Sequence, residues 1–88
     1  MGFKKTVSAK NDAFSYEVIE ECGTIATNGN WEMKLRYIKW GNNPPKYDLR
    51  YWRIKEDGTE ESKKGITLTT NEIEGLQKLL NKINPEEK

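Results

Sequence analysis

Two stretches of the chain alternate. From Trp31 to Trp40 (WEMKLRYIKW) and from Lys46 to Ile54 (KYDLRYWRI), apolar and polar side chains change places almost residue by residue. A period of two marks a β-strand, because successive side chains point to opposite faces. In the first stretch Trp31, Met33, Leu35 and Tyr37 share one parity, and Lys34, Arg36, Ile38 and Trp40 share the other. In the second, Tyr47, Leu49 and Tyr51 stand against Lys46, Asp48, Arg50 and Trp52. The more apolar parity is assigned to the core. The mixed parity sets guanidinium beside indole on the face turned away from it. Exposed aromatics on a cationic face are what a stacking platform for unpaired bases requires. A plainer reading has Trp52 capping a hydrophobic edge and Arg50 pairing with Asp48. For one strand alone that reading is the better one; its repetition in the neighbouring strand favours a site.

The other elements are shorter. Phe14 to Glu21 alternates as a first strand and breaks at Cys22-Gly23, where Gly23 suggests a bulge or turn that lets the strand bend or a short second strand, Thr24 to Thr27, follow it. Asn28-Gly29-Asn30 is the clearest turn, since Asn-Gly tolerates the positive φ that tight hairpins demand. Pro44-Pro45 stiffens the next connection, and Glu56 to Glu61 reads as a charged turn bending at Asp57-Gly58. A short strand, Gly65 to Leu68, leads to one helix. Thr69-Thr70-Asn71-Glu72 forms its capping box, and Ile73, Leu76, Leu80 and Ile83 recur at helical spacing with Leu79 widening the stripe. Pro85 is expected to end it. Residues 1–12 carry no period and read as a flexible arm; residues 13–84 form the domain and 85–88 a tail. The predicted fold is α+β, a four-stranded antiparallel sheet followed by one C-terminal helix.

Composition narrows the function. At 88 residues the chain makes one small-cored domain, for which dimerisation through Ile73, Leu76, Leu80 and Ile83 would supply further burial. A single cysteine allows no intrachain disulfide and suits a reducing cytoplasm. The absence of histidine removes the commonest general base and metal ligand, and the carboxylates show no paired spacing, so no enzyme, metal or cofactor is expected. No apolar run approaches a membrane span. Net charge is only +1, but from Trp31 to Lys55 seven cations (Lys34, Arg36, Lys39, Lys46, Arg50, Arg53, Lys55) face two acids (Glu32, Asp48), a local balance of +5. Such segregation counts for more than the total when a binding face is sought.

A Trp-terminated basic strand, then YDLRYW, a Gly-containing turn, KKGITLT and a capped helix resemble, in that order, the positive cofactor four family of transcriptional coactivators. The likeness is greatest to its small bacterial YdbC-type members and covers residues 14–83. It implies a homodimer whose curved four-stranded sheets grip single-stranded DNA with little sequence preference, RNA being a second candidate ligand. By that resemblance Arg50 and Trp52 match the Arg and Trp of the DNA-facing strand and Lys64 the lysine before Gly65. Trp40 matches an aromatic ending the second strand, and Lys46 lies near a basic position opening the third. Lys34, Arg36 and Lys63 join them on parity alone. The chain departs from eukaryotic members in lacking a serine-rich acidic N-terminal segment, which puts a coactivator role through that segment in doubt. The expected partner is single-stranded DNA, with no membrane and no small-molecule substrate, in the cytoplasm or at the nucleoid. The rival is a protein-interaction module whose basic sheet face docks an acidic partner.

Overall fold

The structure is a computed structural model that describes residues 5–8 and 15–87. Six strands form one antiparallel sheet: β1 (Lys5–Ser8), β2 (Ser15–Asn28), β3 (Trp31–Trp40), β4 (Lys46–Ile54), β5 (Glu60–Ser62) and β6 (Ile66–Leu68). They lie in the order β1-β2-β3-β4-β5, with β6 also paired to β4. One α-helix among the described residues, α1 (Thr70–Leu80), follows, and Pro85–Glu87 make a 3-10 turn. The α+β architecture is as expected, but the sheet has six strands where four were expected. Four residues of the expected arm pair with β2 as β1, Lys5 opposite Val18 through Ser8 opposite Ser15. The rest of the arm, and Phe14 at the start of the expected first strand, lie outside the described residues. β5 replaces the end of the expected charged turn.

β2 and β3 form one long hairpin. Gly29 carries a φ of 64° at the first of two central turn positions, which suits a twisted hairpin and costs glycine nothing. Of the two readings at Gly23, the bulge that bends the strand is the one observed, and no separate strand begins at Thr24. Instead the register slips between Val18 and Glu20, between Glu21 and Gly23, and between Thr24 and Ala26, while β3 runs on without a break. Ile19, Cys22 and Ile25 are thus extra residues. Each such bulge adds local twist and bends the strand that carries it.

The bending shows in what meets across the sheet. β2 and β5 are separated by β3 and β4, roughly 14 Å in a flat sheet at ~4.8 Å per strand. Yet the Tyr16 hydroxyl on β2 donates to Glu60 Oε1 on β5 at 2.8 Å. The sheet curls, and its inner face closes over itself. Tyr16, Val18, Ile38 and Trp52 are the buried hydrophobic core, and all four lie on that inner face. The parity assignment made from sequence is therefore reversed: the mixed face is the buried one.

The outer face carries Met33, Leu35, Tyr37, Tyr47, Leu49 and Tyr51, all only half-buried. Tyr37 and Tyr47 touch with ring centroids 4.8 Å apart. α1 packs at the β4 and β6 end. Its capping box forms as expected, with the Glu72 N–H donating to Thr69 Oγ1 and the Thr69 N–H to the Glu72 carboxylate. The helix closes at Asn81 rather than at Pro85, so Ile83, expected on its stripe, lies beyond the cap. No helix residue is buried within the one chain: Ile73 and Leu76 are half-buried, while Leu79, Leu80 and Ile83 are exposed.

Candidate nucleic-acid interface

Directly opposed residues of an antiparallel pair share a face, so the register assigns each candidate. Lys34 opposes Arg50, Arg36 opposes Asp48, and Ile38 opposes Lys46. Tyr16 opposes Trp40 and Glu21 opposes Arg36, while Trp52 lies between Glu32 and Ser62. Lys34, Arg36, Trp40, Lys46, Arg50 and Trp52 are thus brought together on the inner face. Lys63 is not. Its ammonium sits 4.7 Å from the ring of Trp31 on the outer face, with the Arg53 guanidinium 5.0 Å from the same ring. Lys64 is exposed in the link between β5 and β6.

Two guanidinium–indole pairs lie side by side, each anchored by a carboxylate. Asp48, wholly buried, receives Arg50 Nε at 2.8 Å and Nη2 at 2.7 Å, and the Trp40 indole N–H at 3.2 Å. Arg50 Cζ stands 4.8 Å from the Trp40 ring. In the second pair, Arg36 donates to Glu60 through Nη1 at 3.2 Å and Nη2 at 2.8 Å, and to Glu21 through Nε at 2.9 Å. Its Cζ stands 4.6 Å from Trp52. The indoles of Trp40 and Trp52 lie nearly parallel, centroids 6.1 Å apart, and Tyr16 packs against both.

Burial sets the protonation of these groups. Desolvation raises the Asp48 pKa, against the opposing pull of Arg50 and Trp40. Desolvation works against the Arg36 cation, but its hydrogen bonds to Glu60 and Glu21 and their negative charge outweigh it and hold its pKa above the usual arginine value. The Tyr16 pKa is raised by desolvation first and by the Glu60 carboxylate second. A fully paired, hydrogen-bonded ion cluster is the form in which charge can be buried.

The expectation that Trp52 stands exposed as a platform is corrected: it is 2 % accessible. Arg36, expected to meet phosphate, is 1 % accessible and already spans two carboxylates. Glu21 lies directly opposite Arg36 on the neighbouring strand, and the curl brings Glu60 from β5 across β4 to the same guanidinium. On the inner face of β2 to β5 four cations, Lys34, Arg36, Lys46 and Arg50, thus meet four acids, Glu21, Glu32, Asp48 and Glu60. Glu21, Glu60 and Tyr16 are the partners that sequence reasoning missed. Tyr16 shared the strand alternation, but nothing local marked Glu60. Trp40 remains half-buried at the rim; Lys46 and Lys64 are exposed with no ion-pair partner among the described residues.

An open antiparallel sheet with a charged, aromatic inner face and one C-terminal helix defines a class of small α+β proteins built around the sheet. Within that class the chain belongs to the family described as Transcriptional Coactivator p15 (PC4), whose model matches residues 28–79. That span runs from the hairpin turn to the end of α1 and contains the two guanidinium–indole pairs. The family is nucleic-acid-binding and non-enzymatic. An uncharacterized protein of Treponema pallidum (strain Nichols) is 44% identical over 77 residues, covering 84% of this chain and 85% of the relative. No solved structure matches the chain. Among the described residues no helix is long and apolar enough to cross a membrane.

Proposed function

We propose that the chain binds single-stranded DNA as a homodimer, with little sequence preference, in the service of transcription, replication or repair. RNA is the second ligand of the same chemistry. The observation that carries the reading is the cluster of Tyr16, Trp40 and Trp52 on a sheet face of this family, with Trp40 half-exposed at its rim. Bases stack at Trp40, each such contact contributing ~1–3 kcal/mol. Phosphates meet Lys34, Lys46 and Lys64, and Arg50, whose side chain is 17% accessible, exchanges part of its bond to Asp48 for a phosphate oxygen. Trp52, Arg36 and Lys63 act less directly: the first two hold the curled face in shape, and Lys63 adds charge from the outer edge. The chain needs no cofactor, acts on no small-molecule substrate and works in the cytoplasm, at the nucleoid.

The dimer rests on the exposed apolar side of the helix end, where Leu79, Leu80 and Ile83 are each more than half accessible. A small domain that leaves such a patch uncovered gains most from an isologous partner, with Ile73 and Leu76 at the edge of the contact.

Titrating tryptophan fluorescence with oligothymidine, duplex DNA and RNA at several salt concentrations tests the binding. Quenching by single strands is expected, with a slope of log affinity on log salt of about −0.7 per neutralised phosphate. Equal affinity for duplex, or a slope near zero, would reject the reading.

A further inference from the structure

Trp31, at the start of β3, carries two cations on one ring. The Lys63 ammonium stands 4.7 Å from the ring centroid and the Arg53 guanidinium 5.0 Å. A cation–π contact fixes each of them over the indole. It also holds the two like charges no more than about 10 Å apart, within one screening length at roughly 0.1 M salt. One carboxylate answers the pair: Glu61 accepts from Arg53 Nε at 2.8 Å. The two terminal guanidinium nitrogens of Arg53 and the ammonium of Lys63 make no hydrogen bond or ion pair among the described residues. The Arg53 side chain is 39% accessible, and Lys63 is exposed. The cluster thus carries one unanswered positive charge together with unused donors.

Its place in the sheet says what fits. Arg53 lies near the end of β4, opposite Glu61, whereas β6 and α1 pack at the start of that strand. The cluster is therefore clear of the apolar helix end. It also adjoins the inner face, because Arg53 lines a cavity of about 180 Å³ together with the inner-face residues Glu32, Lys34, Trp52 and Glu60. Lys34, Arg53 and Lys63 form a run of cations that starts on the inner face and passes round the end of β4 to the outer. A lone acidic side chain has no use for such a run; a polyanion with one charge on every repeat does.

We infer that a single strand leaving the inner face turns round this end of the sheet and sets one phosphodiester between Arg53 and Lys63 on the outer face. The inference rests on the single-strand reading above and deepens it, by giving the strand a path beyond the concave surface. Trp31 stacks on no base here; it is a positioning residue that holds both cations in place. The one unanswered charge of the cluster matches the single negative charge of a phosphodiester.

The test is the salt dependence of affinity of the full chain for oligothymidines of about 6 and about 20 nucleotides, the first confined to the inner face and the second able to pass its edge. Arg53→Gln should weaken binding of the long strand about three- to tenfold and lower its salt slope by about 0.7, the share of one phosphate. It should leave the short strand unchanged. Glu61→Gln, which removes the competing carboxylate, should tighten the long strand by a similar factor. Lys55→Gln takes one charge from the same end of β4 but not from the Trp31 ring, and should affect the long strand less. An Arg53→Gln protein that binds the long strand like the parent would overturn the inference and leave single-strand binding intact. So would an equal loss with both lengths, which would put Arg53 on the inner-face path, or an equal loss in Lys55→Gln, which would reduce the effect to overall charge. Oligoglutamate binding more tightly than the long strand would hand the surface to an acidic peptide and overturn the inference too. If neither strand binds, the functional reading itself falls.

Discussion

The two faces of the sheet solve the same problem in opposite ways. The outer face has the apolar residues, Met33, Leu35, Tyr37, Tyr47, Leu49 and Tyr51, yet all of them stay half-buried because one short helix covers only the β4 and β6 end. The inner face holds two arginines and an aspartate, yet buries Arg36 to 1 % and Asp48 completely with no layer of the described residues laid over it. The difference is geometry. A curled sheet supplies its own cover on the concave side, and charge tolerates that cover when each guanidinium finds a carboxylate and an aromatic ring. Hydropathy alone assigns the faces the wrong way round.

The comparison breaks most readily at Glu60, which ties β5 to β2 through Tyr16 and to β3 through Arg36. Glu60→Ala leaves the Arg36 cation buried with only Glu21, and should cost about 3–5 kcal/mol in urea unfolding. A loss under 1 kcal/mol would mean that the inner face does not depend on the bridge. Tyr16→Phe removes one bond to a charged acceptor and should cost about 1.5–3 kcal/mol near neutral pH.

The same bond gives a pH signature. The folded Tyr16 pKa lies above its unfolded value of about 10. The unfolded chain therefore loses this proton first, and the stability it contributes is fully present below pH ~10 and lost as pH rises beyond. The parent should fall more steeply than Tyr16→Phe between pH 9 and 11 in denaturant titrations, and parallel curves would remove Tyr16 from the account.

Trp40→Ala sharpens the comparison on the binding side. It should weaken oligothymidine binding by about 1–3 kcal/mol while the chain stays folded. Trp52→Ala, by contrast, empties a core position and should cost about 3–5 kcal/mol in stability. On the outer face the smallest change within the chain is expected. Leu80 is 53% exposed in one protomer, so Leu80→Glu should alter monomer stability by less than about 0.5 kcal/mol. It should nonetheless shift sedimentation from dimer mass to monomer mass at low micromolar concentration. An unchanged dimer would move the contact elsewhere.

The strands were legible because their signals are local. Trp31–Trp40 and Lys46–Ile54 alternate along their whole length, and the Thr69 capping box names its own partner three residues on. The inner face was legible as a set of residues, since the register puts Lys34, Arg36, Trp40, Lys46, Arg50 and Trp52 together. Its burial was not. That depends on Glu60, forty-four residues from Tyr16, inside a run of charges with too little alternation to announce β5. It depends also on three bulges in β2 whose extra residues, Ile19, Cys22 and Ile25, look like ordinary strand residues. Curl is a sum of small local deviations, and no single residue states it.

Gly65, between the two short strands that share the edge of β4, carries a consequence for how the faces tolerate change. A Cβ built there would overlap Arg50 Cβ and the Leu49 carbonyl oxygen, both part of the rigid body of β4. Alanine at this position would have to lift β6, and with it the start of α1, away from the strand. The helix packs against β4 and β6 while Arg50 lies on the inner face, so a single methyl group would be felt at both. Helix α1 and the Arg50 guanidinium are mechanically geared together through the close approach of Gly65 to β4, and a mutational scan should find position 65 far less permissive than its exposed neighbours Lys63 and Lys64.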